Sequence, residues 1–169
     1  MAEENEKQEE ASLEDADLEL DEYISKSEEV VLKTHQRIHN EFSGRIEKMQ
    51  SGHVEVILDT TKDMLADDMG LIHGGFIFSA ADYAAMAAVN ERNVVLVASD
   101  CQFLSPVKLG DKVFVTATVR HKEGRKRNVN VEAYVHDIKV FDGIFKTVVT
   151  ERHVLKLKLL EEESVKPEL

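Results

Sequence analysis

A histidine, two glycines and a lone aspartate form the segment of this chain that could do chemistry. His73, Gly74 and Gly75 come just before an alanine-rich stretch, and Asp82 follows nine residues after the histidine. The glycines let the backbone turn sharply and let a ligand approach it. The first amide N–H groups of a following helix lack partners inside the helix, and its N-terminus carries partial positive charge. Such a turn is a suitable oxyanion hole for a carbonyl oxygen, with the N–H of Gly75 or Phe76 as the expected donor.

Asp82 is an acid in an otherwise apolar stretch, in which six of the nine residues 80–88 are alanine. Burying an acid costs several kcal/mol unless it is paired or serves a purpose. We therefore expect a ligand-site role for Asp82, with a structural hydrogen bond as the alternative. At about 1.5 Å per residue the acid lies roughly 10 Å from the start of its own helix. It could serve an oxyanion hole only on a neighbouring subunit whose helix runs antiparallel.

The elements that must position this segment are one central helix and several strands. The helix is predicted over 75–90, and because it is apolar nearly all round we expect it to be buried. Alternating apolar and polar residues predict the strands. They cover 45–50, 53–60, 94–104, 112–122, 127–137 and a final stretch from 140 to 155 that is interrupted by a turn at Asp142-Gly143. This order predicts an α+β domain in which a curved antiparallel sheet wraps around the helix.

The two ends of the chain differ from its middle. Residues 1–22 hold eleven acids and one base, so this segment carries −10 of the net charge of −12 and leaves −2 for the other 147 residues. A block of like charges usually stays disordered, and we expect this tail to dock an unknown protein. Apolar residues at spacings of three and four predict a helix over 25–42. The folded domain is expected over 23–159 and a frayed tail over 160–169.

Composition excludes several classes of protein. The folded part has no excess of Lys and Arg, so it does not fit a nucleic-acid binder. The longest apolar run is about six residues, whereas a membrane span needs about 20. Cys101 is the single cysteine, and His35 and His39, four apart, lack a third ligand, so we predict no disulfide and no metal site. No secretory signal is visible, and the expected location is the cytoplasm.

Taken together, these residues resemble the hotdog-fold acyl-CoA thioesterases of the phenylacetyl-CoA type. The resemblance covers about residues 42–156 and rests on His73-Gly74-Gly75, on Asp82 at the family's spacing, and on the strand, proline turn and Gly-Asp of 103–111. It implies a hotdog fold and a homodimer whose sheets join edge to edge, often paired further into a tetramer. It also implies two interface sites that hydrolyse the thioester of an acyl- or aryl-acyl-CoA, with coenzyme A as part of the substrate and no other cofactor.

The same resemblance implies roles for single residues. The backbone at Gly75 donates to the thioester oxygen, and Asp82 of the other chain activates water or attacks directly. His73 holds the loop or contacts the thioester, and Ser99 lies near a serine that orients water in some members, with core packing as the alternative for both. Further candidates for substrate binding are Gly74 at the turn, Phe76 and Tyr83 on the helix with Phe78 and Met86 beside them, and the bases Lys108, Arg125 and Arg127 as a clamp for coenzyme A phosphates.

Asp67 departs from the family's pattern, which has asparagine six residues before the histidine. This carboxylate could position water, spoil the hydrolytic geometry or only cap a turn, and a second acid near the site would raise the pKa of one of the two. Members that bind acyl-CoA without cleaving it are known, so the alternative function is acyl-CoA binding or sensing with a regulatory role. Hydratase chemistry fits less well because its histidine motif is missing, and DNA binding because no second, recognition-type helix is predicted.

Overall fold

The computed structural model describes residues 30–157, so the predicted acidic tail and the predicted C-terminal tail lie outside the described residues. The described residues 30–31 and 32–157 belong to two different units of the chain. All elements given below belong to the second unit. None of the described helices is long and apolar enough to cross a membrane.

Six antiparallel strands form one sheet in the order β1-β2-β4-β5-β6-β3. A short helix α1 precedes the sheet, and a long helix α2 lies between the second and third strands. Their bounds are α1 Asn40–Ser43, β1 Arg45–Gln50, β2 His53–Asp59, α2 Gly74–Val89, β3 Val94–Phe103, β4 Lys112–Glu123, β5 Lys126–Val135 and β6 Ile138–Val149, with 3-10 turns at Lys62–Met64 and Val154–Lys156. This is the hotdog fold, and the predicted α+β class is confirmed.

Helix α2 is the centre of the core, as predicted. Its alanines Ala80, Ala84, Ala85 and Ala87 are fully buried, and alternate residues of the strands pack against them. Small side chains let the sheet close tightly around the helix, so that most of the helix is removed from water. The acid Asp82 is therefore carried into an apolar interior by the element that holds it.

Strand β3 ends the sheet on one side and is exposed over most of its length. Residues 97–100 face solvent, and Val97 and Phe103 are 59% and 55% exposed. An edge strand presents a row of unpaired backbone groups, which natural proteins usually cover or pair. A ten-residue edge with exposed apolar side chains is therefore the part of this fold best suited to pairing with another strand.

The predicted helix over 25–42 is wrong for most of its described part. Helical geometry is confined to Asn40–Ser43, and residues 32–39, here called the strap, run without regular structure. His35 has φ +51°, in the left-handed region, which no helix continues through. The strap buries Leu32 and Ile38 against the core, so its apolar spacing reflects docking and not a helical face. Residues 25–29 lie outside the described residues.

The predicted turn at Asp142-Gly143 is also wrong, because β6 runs unbroken through both residues. The chain reverses instead at His136-Asp137, where His136 has φ +50°. Gly143 pairs with Cys101 of β3, and a Cβ on this glycine would lie only 2.8 Å from the Cβ of Cys101. The glycine therefore permits a close approach of two strands and does not mark a reversal.

Candidate functional site

Two neighbouring segments hold the turn that precedes α2. The N–H of His73 donates to the carbonyl of Met64 at 2.9 Å, and the N–H of Ile72 donates to the carbonyl of Val107 at 2.9 Å. An isolated antiparallel bridge joins Leu71 to Lys108. The entry to the helix is thus fixed from both sides, which pre-organises its first amide groups.

The structure narrows the choice of oxyanion donor at this turn. The N–H of Phe76 donates to the carbonyl of His73 at 3.1 Å and is therefore occupied. The N–H groups of Gly74 and Gly75, the first two residues of α2, have no acceptor among the described residues. Of the two donors predicted from the sequence, only Gly75 has a free amide.

His73 lies directly over Gly75. A Cβ on Gly75 would come within 2.8 Å of the imidazole Nε2 of His73, so only glycine leaves the ring in its present place. The ring also packs edge-on against Phe76, with 6.2 Å between ring centroids. His73 itself is exposed, and it supplies no side-chain hydrogen bond that caps the helix. The predicted loop-holding position fits this packing.

Asp67 organises the loop that leads to the turn. Its Oδ1 accepts the N–H of Met69 at 2.9 Å and the N–H of Leu71 at 3.1 Å, and the residue is exposed. The turn-capping alternative is thereby confirmed for this residue. An asparagine oxygen would accept the same two bonds, so the departure from the family's pattern changes the charge of the loop without requiring a different loop. Its catalytic role stays a prediction.

Asp82 carries a buried polar atom that nothing described satisfies. Its Oδ1 is removed from solvent and has no hydrogen-bond partner among the described residues. Burial raises the pKa of this carboxyl from its ordinary 3.8 to about 6. Buried unsatisfied polar atoms are rare in native proteins and call for a specific reason. A carboxyl whose pKa is raised to about 6 fits a proton-transfer role.

The Asp82 carboxyl borders a cleft of about 370 Å³, here called the acid cleft. Sequence reasoning did not find most of its lining, because these residues come from four distant segments and carry no shared spacing. Besides Met86 of α2, the lining consists of Thr34 and His35 of the strap, Arg92 to Leu96 at the start of β3, and His153 and Val154 near the end of the described chain.

The glycine turn borders a different cleft, of about 320 Å³, here called the turn cleft. Gly74 lines it together with Phe103 at the far end of β3, and no residue lines both clefts. One chain therefore does not bring Asp82 to its own turn, in agreement with the helix arithmetic from the sequence. The strand β3 begins at the acid cleft and ends at the turn cleft.

Other predicted residues fall at different places. Ser99 is exposed on β3 and not on a buried strand as expected, whereas Cys101 is partly buried against the core. Tyr83 is buried, which raises the pKa of its phenol, and it borders neither cleft. Phe76 packs on Phe42 with 6.0 Å between centroids. These positions leave Gly74 and Met86 as the predicted contact residues that line a cleft.

The predicted phosphate clamp is only partly available. The guanidinium of Arg127 donates to the carbonyls of Gly124 at 2.7 Å and Lys126 at 2.8 Å, so it holds the β4–β5 hairpin tip. Arg125 is exposed at that tip, and Lys108 is exposed beside the glycine turn. Among residues 30–157, no group of three His, Cys, Asp or Glu side chains is placed to hold a metal ion.

A larger cleft, of about 500 Å³, lies beside β1 and β2. Arg45 lines it and is paired with Glu47 and Asp59, and the Arg45 guanidinium, with Lys112, holds the pKa of the Asp59 carboxyl below its ordinary value. None of the residues predicted for the site borders this cleft. Arg45 and Asp59 pair with each other across this cleft, whereas the buried Asp82 Oδ1 has no partner among the described residues, so Asp82 is the better marker of the functional site.

The sequence model of the thioesterase superfamily matches residues 69–141, which include the glycine turn, α2, three strands and the start of β6. The structure is similar to that of an uncharacterised protein from Pyrococcus horikoshii, PH1136, with a TM-score of 0.73 and 41% identity over 75% of this chain and 97% of that chain. It is also similar to PaaI of Escherichia coli, from the phenylacetic acid degradation operon, with a TM-score of 0.60 and 28% identity over 64% and 80% of the two chains.

Two kinds of curated relative are much longer than the matched part. A methylthioribose-1-phosphate isomerase of Aquifex aeolicus is 50% identical over 117 residues, which are 69% of this chain but 26% of that protein. The transcription factor FapR of Thermoanaerobacter pseudethanolicus is 30% identical over 100 residues, 59% of this chain and 50% of that protein. The chain thus spans between a quarter and a half of the curated relatives it matches.

Proposed function

Since the chain belongs to the hotdog-fold thioesterase superfamily, we propose that it hydrolyses the thioester of an acyl- or aryl-acyl-CoA. The observation that carries the proposal is the buried Asp82 Oδ1, which has no partner among the described residues, and burial raises the pKa of this carboxyl to about 6. A structural acid would satisfy that oxygen with a donor from the fold. An acid kept for reaction with a water or a thioester carbonyl has to leave it open.

The proposed site lies between two copies of the chain. Pairing β3 with the β3 of a second copy around a two-fold axis makes the two strands antiparallel. The start of one β3, at the acid cleft, then lies next to the end of the other, at the turn cleft. This arrangement supplies two equivalent sites, each with Asp82 from one chain and the free amide of Gly75 from the other. It also covers the exposed edge strand.

The proposed reaction uses these two groups on opposite sides of the thioester. The carbonyl oxygen accepts the N–H of Gly75 at the start of α2, where the negative charge of a tetrahedral intermediate is stabilised. The partner's Asp82 removes a proton from the attacking water, or attacks the carbonyl itself to give an anhydride that water then opens. Either route ends in the carboxylic acid and the free thiol of coenzyme A. Both routes require the ionised carboxylate.

The coenzyme A part of the substrate carries phosphates that need basic side chains. Arg125 at the hairpin tip and Lys108 beside the turn are the exposed bases that we assign to the phosphates of coenzyme A. The tip lies at the end of the sheet where β3 starts, because Arg125 accepts the N–H of Val149 and Asn93 accepts the N–H of Thr150. We further propose that the enzyme acts in the cytoplasm and that the chain outside the described residues docks a partner protein.

The test of the proposed function is the variant Asp82→Asn, assayed by release of the coenzyme A thiol over a panel of acyl- and aryl-acyl-CoAs. A general base contributes about 10²–10⁴-fold, so turnover should fall by that order while acyl-CoA binding, measured by calorimetry, stays largely intact. Asp68→Asn is the matched control, since Asp68 is an exposed acid that borders neither cleft. Turnover that is unchanged in Asp82→Asn would refute the assignment.

A second function is favoured by two observations. A transcription factor is among the relatives, and Asp67 stands where the family has an amide. In this alternative the chain binds acyl-CoA without cleaving it and transmits the binding to a regulatory partner. The same panel separates the two functions, because tight calorimetric binding without thiol release supports sensing and rejects hydrolysis.

A further inference from the structure

The two glycines that open α2 each lie against an aromatic ring. On Gly75 the place of a Cβ is taken by the imidazole of His73. On Gly74 a Cβ would lie 3.1 Å from Cε1 and 3.3 Å from Cδ1 of Phe103, a residue at the end of β3. The N–H groups of both glycines have no acceptor among the described residues. The Phe103 ring therefore lies beside the donors to which the proposed function assigns the thioester carbonyl.

The core holds the Phe103 ring from one side. Phe103 is the partner of Phe141 in the β3–β6 ladder, and the two rings meet edge to face with 5.2 Å between centroids. Phe141 is fully buried and lies 6.2 Å from the ring of Phe145. The N–H of the next residue, Leu104, donates to the carbonyl of Val140 at 2.9 Å. The ring is thus anchored on buried neighbours and on a fixed strand end.

The other side of the ring is open to the turn cleft. Phe103 is 55% exposed and lines this cleft of about 320 Å³. None of the described residues that line it is charged, and Ser105 alone among them has a polar side chain. Its deeply buried lining residues are Ile72, Ile77, Val107 and Val140. Such a lining suits an apolar group and offers no partner to the phosphates of coenzyme A.

We propose that Phe103 is a specificity-determining residue, whose open ring packs against the acyl group and favours an aromatic acyl group over a straight chain. The inference rests on the proposed function, because a carbonyl held at the first amides of α2 directs its acyl group into the cleft that begins at Gly74. Two aromatic rings in offset or edge-to-face contact gain more than their buried area alone provides. An alkyl chain on the same ring gains from the area only.

Assembly is the rival role for Phe103, because the residue ends the edge strand that we assign to the dimer. In that role the ring would be covered by the partner subunit, and it would affect every acyl-CoA alike. The ratio of kcat/KM for two substrates separates the roles. A loss of dimer lowers both values by the same factor, whereas a loss of ring contact lowers the value for the aromatic substrate more.

The test compares phenylacetyl-CoA with octanoyl-CoA, which have the same number of acyl carbons. Phe103→Leu removes the ring but keeps an apolar side chain, and it should lower the ratio of kcat/KM for phenylacetyl-CoA over octanoyl-CoA by about 2–10-fold. Phe103→Tyr keeps the ring and should keep the ratio. Phe114→Leu is the matched control, because Phe114 is an exposed phenylalanine on β4 that borders neither cleft.

Gly74→Ala tests the position of the ring without removing it. The variant keeps the amide of residue 74, but its methyl takes the space beside the Phe103 ring edge and displaces the ring. The substrate ratio should therefore fall in Gly74→Ala as well. In the Phe103→Leu background the same change should lower the ratio little further, which a double-mutant cycle measures as coupling between the two residues.

Two results overturn the inference. One is a substrate ratio that stays or rises in a folded, dimeric Phe103→Leu variant. The other is an equal loss for both substrates together with the sedimentation of a monomer, which assigns the ring to assembly. Failure of the proposed function is a separate result. If the wild type releases no thiol, calorimetric affinities of the two acyl-CoAs give the same ratio, and a fall of about 2–10-fold in Phe103→Leu still supports the ring contact.

Discussion

Burial of Asp82 costs the fold stability wherever the carboxyl is ionised. Burial favours the neutral form of a carboxyl, and here no donor among the described residues compensates the ionised Oδ1. The folded protein therefore binds a proton at Asp82 more tightly than the unfolded chain does. A fold under selection for stability alone would replace or pair such a group, which is why strained acids concentrate at functional sites.

The tighter proton binding of Asp82 in the folded state predicts a pH-dependent gain of stability in Asp82→Asn. The folded protein gains stability because it binds a proton at Asp82 more tightly than the unfolded chain does. This gain is fully present below the ordinary pKa of 3.8 and is lost as the pH rises through the folded-state pKa of about 6. The asparagine variant does not lose it. We compare the free energy of unfolding in urea of the variant with that of the wild type. The difference in favour of the variant should be about 1–2 kcal/mol larger at roughly pH 7.5 than at roughly pH 4.5.

Asp68→Asn serves again as the comparison, because it removes an exposed carboxyl from the neighbourhood of the turn. Its difference from the wild type should stay small across the same pH range. A constant offset between Asp82→Asn and the wild type, without growth toward high pH, would mean that Asp82 is not desolvated in the folded protein.

The candidate site was predictable from the sequence only where its chemistry is local. His73, Gly75 and Asp82 lie within ten residues of one another, and the helix geometry already excluded a site within one chain. The choice between the amides of Gly75 and Phe76 needed the structure, because it depends on a bond back to His73. His35 could not be found, because it reaches the acid cleft through docking of the strap and not through spacing.

At the scale of elements, the helix and the first five strands were predicted within one or two residues, since their burial repeats along the chain, whereas the last strand ends at Val149 and not near residue 155. The errors at the strap and at Gly143 have one cause. Leu32 and Ile38 bury apolar side chains without helical geometry, and Gly143 is small because another strand lies close to it. A sequence pattern records that a position is buried or small, but the neighbour that requires it comes from a distant part of the chain.

The close approach at Gly143 predicts a cost for the smallest added side chain. In Gly143→Ala the new methyl would lie 2.8 Å from Cys101 Cβ and 3.2 Å from the carbonyl oxygen of Asp100. Backbone has to shift to relieve it, so the free energy of unfolding should fall by about 1–3 kcal/mol. Chemical denaturation measures this, with Asn130→Ala on the exposed face of β5 as the control.

The Cys101→Gly change in the Gly143→Ala background should recover part of that loss, because it removes the Cβ that the new methyl meets. A double-mutant cycle then shows a favourable coupling between the two positions. Strictly additive losses would show that β3 and β6 do not approach as closely as described. One of these strands, β3, is the edge that we assign to the dimer, so the loss should extend to assembly.

At the scale of the whole molecule, the fold places Asp82 and the glycine turn at different clefts. The acid cleft and the turn cleft share no residue, and β3 connects them from its first residues to its last. A chain that is folded but alone would hold an acid without an oxyanion hole and an oxyanion hole without an acid. Assembly through β3 is thus the step that the proposed activity depends on, and it is open to a direct test by subunit mixing.

We predict that two inactive variants restore activity when their subunits exchange. Gly75→Pro removes the amide donor in the first turn of the helix, where proline is tolerated, and its Cβ also displaces the His73 ring. Asp82→Asn removes the acid. A mixed dimer of the two has one site with both groups intact and one with neither. After full exchange at equal amounts, half of the dimers are mixed, and each of these has one working site of its two. Thiol release should therefore recover to about a quarter of the wild-type rate.

Ala98→Lys supplies the control for that recovery, since a lysine in the exposed middle of β3 blocks edge pairing. Sedimentation should give twice 19.1 kDa for the wild type and 19.1 kDa for this variant. The variant should also release no thiol, and its introduction into both inactive chains should abolish recovery. Asn130→Lys places the same charge on the exposed face of β5 and should leave both the mass and the rate unchanged. Hydrolysis by a monomeric Ala98→Lys protein would contradict a site shared between chains, because Asp82 and Gly75 would then have to meet within one fold that holds them apart.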